Sequence, residues 1–258
     1  MNIQKELSRR GLLTTVGLGL GSLAIARHLP SSTIAEGLRT GALTDVDVLN
    51  FALNLEYLEA EFYTYAITGK GIPADLTDGV GTRGKTYGGH EVNFDDNVLT
   101  TISVAIMHDE WNHVKFLRAA LGDKAVAKPE INLNALGLGF KNETEFILLS
   151  RAFEDTGVSA YLGAATLIKT PAFLAAAAQI LAAEAYHAGA IRQQLLYKSI
   201  DAPALDSMDK VPGMRSVFPT DMNGLATARD AGQVAMIVRG NNASGGAFYP
   251  NGMNGLIR

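Results

Sequence analysis

The sequence predicts an all-α protein built around a four-helix bundle. Three observations lead there. Four long segments repeat their apolar residues at steps of three and four, the spacing of one helix face. Two of these segments carry Glu-x-x-His at the centre of that face. Charged residues make up only 19% of the 258 residues, below the rough quarter usual for soluble domains, as expected where helix surface is buried against other helices.

Before the bundle comes an address. Ser8-Arg9-Arg10-Gly11-Leu12-Leu13 places a twin arginine ahead of a soft apolar run that ends in Ala24-Ile25-Ala26. That run is too short and Gly-rich for a stable membrane span, and the small-residue exit fits a cleavage site. Residues 1–26 resemble a twin-arginine (Tat) signal, which implies a Tat translocase as export partner, cleavage near Ala26 and a periplasmic destination. Removing Lys5, Arg9, Arg10 and Glu6 leaves the rest of the chain more acidic. Residues 27–43 read as a linker, 44–199 as the bundle and 200–258 as an extension.

The first helix is expected from about Asp45 to Thr68, opened by the cap-like Thr44-Asp45-Val46-Asp47 and closed by Gly69-Lys70-Gly71. A Gly-rich stretch from Gly71 to Asn97 has no period and reads as a long surface loop. The second helix runs from about Asp95 to Leu121, before Gly122. Residues 123–141, with Pro129, Gly137 and Gly139, form another long connection. Asn142, with Glu145 three residues on, caps a third helix that continues to Lys169. Thr170-Pro171 then makes a tight link, with proline at the first position of a fourth helix ending near Lys198. Beyond Ile200 the composition turns to Gly, Pro, Asn and Met, with one short helix around Leu225–Val238. Nothing there supports a second core, so this tail is expected to wrap the bundle.

Inward positions of a bundle should be apolar, and a carboxylate there is costly unless paired or metal-bound. On the second helix the face Ser103, Ile106, Glu110, His113, Leu117 steps by three and four. On the fourth, Ala177, Ile180, Glu184, His187, Ile191 does the same. Residues three apart lie one turn apart on one side of a helix, so Glu110 with His113, and Glu184 with His187, can each reach one ion. The first and third helices carry a matching pair, Glu56 with Tyr63 and Glu154 with Tyr161, seven residues apart. The chain is thus an internal repeat of two helix pairs. Six ligands suit a two-metal site with one Glu from each of two helices and Glu-x-x-His from each of the others. Four carboxylates would neutralise two divalent cations.

At these residues the sequence resembles the ferritin-like bundle proteins with di-iron or di-manganese sites. Glu56-Tyr57-Leu58-Glu59-Ala60-Glu61-Phe62-Tyr63-Thr64-Tyr65 is similar to the corresponding rubrerythrin helix. The signal, the run Asn50-Phe51-Ala52-Leu53-Asn54-Leu55-Glu56-Tyr57 and the terminal Gly246-Ala247-Phe248-Tyr249-Pro250-Asn251-Gly252 resemble the exported ferritin-like family related to plant desiccation-related proteins. The resemblance covers about residues 44–258. It implies the metal ligands Glu56, Glu110, His113, Glu154, Glu184 and His187, with Glu110 and Glu154 as bridging carboxylates. Glu59, about 60° from Glu56 around the helix, is an alternative ligand; Glu61, about 180° away, should face out. Tyr63 and Tyr161 are either hydrogen-bond partners of ligand carboxylates or core aromatics. His108 and His90 are expected at the surface, and Trp111 and Tyr186 should point away from the metals. His28, beside the signal, is assigned no role.

Carboxylate-rich sites with one imidazole each suit Fe or Mn. The leading expectation is a periplasmic di-metal oxidoreductase acting on peroxide or dioxygen. Lacking Cys, the chain has no rubredoxin-type module, so it takes electrons from outside or disproportionates peroxide like a manganese catalase. A metal-stabilised stress or interaction protein without turnover is the alternative, and ferritin-style iron handling a third. The mildly acidic balance, without a Lys/Arg run, argues against nucleic acid. No stable membrane span is expected in the mature chain, and a homo-oligomer is compatible with it.

Overall fold

A computed structural model of the chain describes residues 43–240 and 245–258. Residues 1–26, read above as an export signal, and the 27–43 linker except its last residue lie outside them. Four long helices form the bundle: α1 (Asp45–Thr68), α2 (Asn97–Leu121), α3 (Glu143–Ala164) and α4 (Pro171–Tyr197), with a short α5 (Ala231–Arg239) in the extension. The main packing pairs are α1 with α2 and α3 with α4, so each sequence repeat is one antiparallel helix pair. Among the described residues no helix is long and apolar enough to cross a membrane.

The helix ends follow local chemistry. Thr44 and Asp47 form a reciprocal capping box on α1, and Gly69 closes it in the left-handed conformation at φ 67°. Asp96 accepts from the amides of Val98 and Leu99, which starts α2 slightly later than the apolar spacing implies. Asn142 caps α3 through the Glu145 amide. That helix stops at Ala164 rather than Lys169, because the amides of Lys169 and Thr170 are taken by the Asp45 carboxylate at 2.8 Å each. Likewise α5 starts only after Asp230, whose capping box with Gln233 sets its first turn.

Every residue of α1 from Val48 to Thr64 is buried. What covers its outer side is the pair of long connections. The 71–97 segment is more than an irregular surface loop. It holds a 3₁₀ turn at Ala74–Leu76 and a short strand β1 (Thr86–Tyr87), which pairs in parallel with β2 (Ile131–Asn132). A further bridge joins Val80 to Val126. The two connections thereby form one sheath, with Val126, Ile131 and Leu133 facing inward.

The extension fastens to the same helix and to α3. Tyr249 donates to the Asn54 carbonyl at 2.6 Å, and Asn54 donates to the Asn254 carbonyl at 2.8 Å. Phe248 packs edge-on against Phe153 at 5.0 Å between centroids. Asp155 on α3 is held between the guanidinium groups of Arg151 (2.7 Å) and Arg192 (2.6 Å). Arg151 also pairs with Asp209 at 2.5 Å, and Arg192 donates to the carbonyls of Lys210 and Ser216. These buried arginines tie residues 209–217 down on the α3–α4 pair.

Candidate metal centre

Each long helix brings one fully buried carboxylate to the bundle axis: Glu56, Glu110, Glu154 and Glu184. One turn after the second and fourth of these stand His113 and His187, whose rings lie 6.1 Å apart. All six residues picked out by the sequence pattern are brought together. Their donor atoms form two groups, Glu56–Glu110–His113–Glu184 and Glu110–Glu154–Glu184–His187, with the atoms of each group within 4.8 Å of one another. Glu110 and Glu184 belong to both groups. Glu154 belongs to one, so the pair common to both groups is Glu110 with Glu184, where the resemblance implies Glu110 with Glu154. The first-helix member of these groups is Glu56, and Glu59 belongs to neither.

His113 Nδ1 lies 3.1 Å from Glu56 Oε2, 3.3 Å from Glu110 Oε2 and 3.4 Å from Glu184 Oε1. His187 Nδ1 lies 3.1 Å from Glu110 Oε1 and 3.4 Å from Glu154 Oε2. Yet His187 Nδ1, Glu110 Oε1, Glu154 Oε2 and both Glu184 oxygens make no hydrogen bond, although fully buried. Buried polar atoms are almost always satisfied. A cation held among these converging donors would satisfy them, and this donor set fits a metal site.

The tyrosines seven residues after Glu56 and Glu154 cross over. Tyr63 donates to Glu154 Oε1 at 2.5 Å, and Tyr161 donates to Glu56 Oε1. Both hydroxyls are held well above the ordinary tyrosine range by burial and by the carboxylates they meet. Burial pushes Glu56 up to about 7, and raises Glu184 and Glu154 as well. Glu110 moves the opposite way: the two imidazoles outweigh its burial and hold it below the usual carboxylate range. Burial would lower His187, but Glu154 and Glu110 push it up to about 12.

Glu59 is also buried, and its carboxyl is held well above its ordinary value by burial and by Glu184, Glu110, Glu56 and Glu154. It lines a small crevice beside the cluster with Leu55, Phe153, Thr156, Gly157 and Val238. Gly157 makes room there, since a Cβ at that position would sit 2.3 Å from Glu184 Oε2 and 3.2 Å from Glu59 Oε1.

One expectation is corrected. Glu61 does not face out: it is buried against Lys128 at 3.4 Å and accepts from the Ile72 amide at 3.2 Å. The 180° argument assumes one solvated side, whereas the loop sheath covers α1 all round. His108 and His90 are at the surface. Tyr186 is 76% exposed, and Trp111 points to Thr64 Oγ1 at 2.6 Å. Sequence reasoning missed Asp109, whose Oδ2 meets His187 Nε2 at 3.1 Å, and Gly157. The signals were an acidic residue directly before Glu-x-x-His and a glycine inside a helix, where it costs stability unless space demands it.

Comparison with known proteins agrees with this geometry. The chain is 22% identical over 268 residues to the ferritin-like catalase Nec2 of Nesocodon mauritianus, covering 83% of this chain and 84% of that protein. It is 25% identical over 175 residues to the desiccation-related protein PCC13-62 of Craterostigma plantagineum. That match covers 61% of this chain and spans about half the length of the relative, 55%. A family model described as a ferritin-like domain matches residues 44–197, the four long helices and their connections, and the chain belongs to that family.

Proposed function

We propose that this chain is an exported protein holding two divalent ions, Fe(II) or Mn(II), that reacts with peroxide or dioxygen. The observation that carries the reading is the overlap of the two donor groups in Glu110 and Glu184. Glu56 and His113 would complete one ion's surroundings, Glu154 and His187 the other's. Such a pair, when bound, supplies two-electron redox chemistry in a carboxylate-rich site.

The chain's own residues prepare that site. Four carboxylates balance two divalent cations, so the dry core holds a neutral cluster. Tyr63 and Tyr161 fix the orientation of Glu154 and Glu56. Glu59, whose carboxyl is raised by burial and by the neighbouring carboxylates of the metal-free site, lines the crevice where a small oxygen ligand would sit. Apolar walls from Leu55, Leu58, Phe153 and Val238 keep bulk water out. Disproportionation, in which two peroxides give two waters and one dioxygen, needs no outside reductant and suits a chain without cysteine. The name of the ferritin-like catalase relative supports the same reaction.

The test is dioxygen evolution from hydrogen peroxide by protein loaded with Mn(II) or Fe(II), set against equal free metal. Evolution well above free metal supports turnover. The desiccation-related relative favours a second reading, a metal-stabilised stress or interaction protein. That reading gains if loading raises the melting temperature while peroxide is untouched. Export is tested separately: changing Arg9 and Arg10 to lysine should retain the protein in the cytoplasm, and normal periplasmic recovery of the variant would sink the twin-arginine reading.

A further inference from the structure

The two helix pairs repeat one pattern, with Glu56, Tyr63, Glu110 and His113 answered by Glu154, Tyr161, Glu184 and His187. They differ at one position that bears on the imidazoles. The residue before Glu110 is Asp109, and the residue before Glu184 is Ala183. Asp109 crosses to the other pair, where its Oδ2 lies 3.1 Å from His187 Nε2. A carboxylate at 183 would stand in the corresponding place for His113, but alanine has no acceptor. Among the described residues none bonds His113 Nε2.

From this broken repeat, and resting on the two-metal reading above, we infer that the two metal positions are unequal. Asp109 is a positioning residue that makes the His187 position the tighter. With Nε2–H donated to Asp109, Nδ1 is the nitrogen left for an ion, and it is the atom aimed at Glu110 Oε1 and Glu154 Oε2. That Nδ1 makes no hydrogen bond, so the ring is already turned toward the ion's place and no hydrogen bond at Nδ1 has to be broken there. The carboxylate behind it also raises its basicity. His113 starts from the opposite condition. Its Nδ1 is engaged with Glu56 Oε2 at 3.1 Å and Glu110 Oε2 at 3.3 Å. An ion arriving there breaks those bonds and leaves an Nε2–H with no protein acceptor. Outer partners of metal-bound histidines are worth about ten- to a hundredfold in affinity, which sets the size of the difference.

Zn(II), which is diamagnetic and redox-inert, serves as the probe. Calorimetric titration of the metal-free full chain should show two steps separated by about ten- to a hundredfold. Asp109→Ala, at a side chain 53% exposed, should weaken the first step by that factor and bring the two together. Ala183→Asp should tighten the second step instead. At one equivalent of Zn(II), the ¹⁵N resonance of His187 Nδ1 should shift before that of His113 Nδ1. Two equal steps in the parent chain, an Asp109→Ala variant with unchanged steps, or His113 shifting first would each overturn the inequality while leaving the two-metal reading standing. A parent chain that binds no Zn(II) overturns both.

Discussion

Tyr63 on α1 donates its hydroxyl to Glu154 on α3 at 2.5 Å, and Tyr161 on α3 returns the bond to Glu56 on α1. This exchange joins the two helix pairs at the level of the metal centre. Glu154 Oε2 has no hydrogen bond of its own, so among the described residues Tyr63 supplies the one hydrogen bond its carboxylate accepts. Tyr63→Phe leaves a buried carboxylate without a donor. The metal-free protein should lose about 1–3 kcal/mol, measured by urea unfolding in chelator; Tyr161→Phe should lose less, because Glu56 also meets His113 Nδ1 at 3.1 Å.

The metal-free protein should become less stable as pH rises. Burial lifts Glu56 to about 7 in the folded chain against an ordinary 4.5. The folded state therefore holds a proton that the unfolded state releases between those values. The resulting stabilisation is complete below the ordinary carboxylate pKa and is lost as pH rises through about 7. Glu154 and Glu184 are raised too and act with the same sign. Glu110 acts oppositely, but its contribution is lost only in acid, outside this window. The unfolding free energy from urea melts should fall from pH 5 to pH 8, by on the order of a few kcal/mol. Saturating Zn(II) should flatten that slope, since the ion replaces the protons.

Glu61 tests the loop sheath separately from the metal centre. Removing it takes away the counter-charge of the buried Lys128 ammonium, which keeps only neutral acceptors at Gly84, Thr86 and Pro129; breaking a buried pair from one side costs about 3–5 kcal/mol. Glu61→Ala should therefore lower stability strongly yet keep the metal content per chain, because Glu61 belongs to neither donor group. Replacing both members, Glu61→Leu with Lys128→Met, should recover most of the loss. Elemental analysis and urea unfolding of the two variants read both effects.

Metal stoichiometry should sort the carboxylates by sharing. Glu184→Ala removes a donor common to both groups, and both ions should be lost. Glu154→Ala touches one group and should leave one ion per chain. Gly157→Ala should mimic Glu184→Ala without altering any donor, because its methyl would occupy space 2.3 Å from Glu184 Oε2. Two tightly held ions in Gly157→Ala would contradict that placement.

Sequence alone determined the bundle helices and the inward residues of α2 and α4. Helix caps are local, and an apolar face with 3.6-residue periodicity can be read when the opposite face is polar and wet. Glu110, His113, Glu184 and His187 interrupt such faces, so their places could be read directly. On α1 that logic gave Glu56 but misplaced Glu61, because a helix sheathed on every side has no solvated face to define its periodicity. Only the tertiary structure decided that sheath, since it arises from pairing between segments about forty-five residues apart, Thr86 with Ile131 and Val80 with Val126. It also decided which carboxylates are shared, which tyrosine holds which glutamate, and that Asp109 reaches the imidazole of another helix. Those relations depend on how helices lie across one another, and side-chain spacing within a helix carries no record of it.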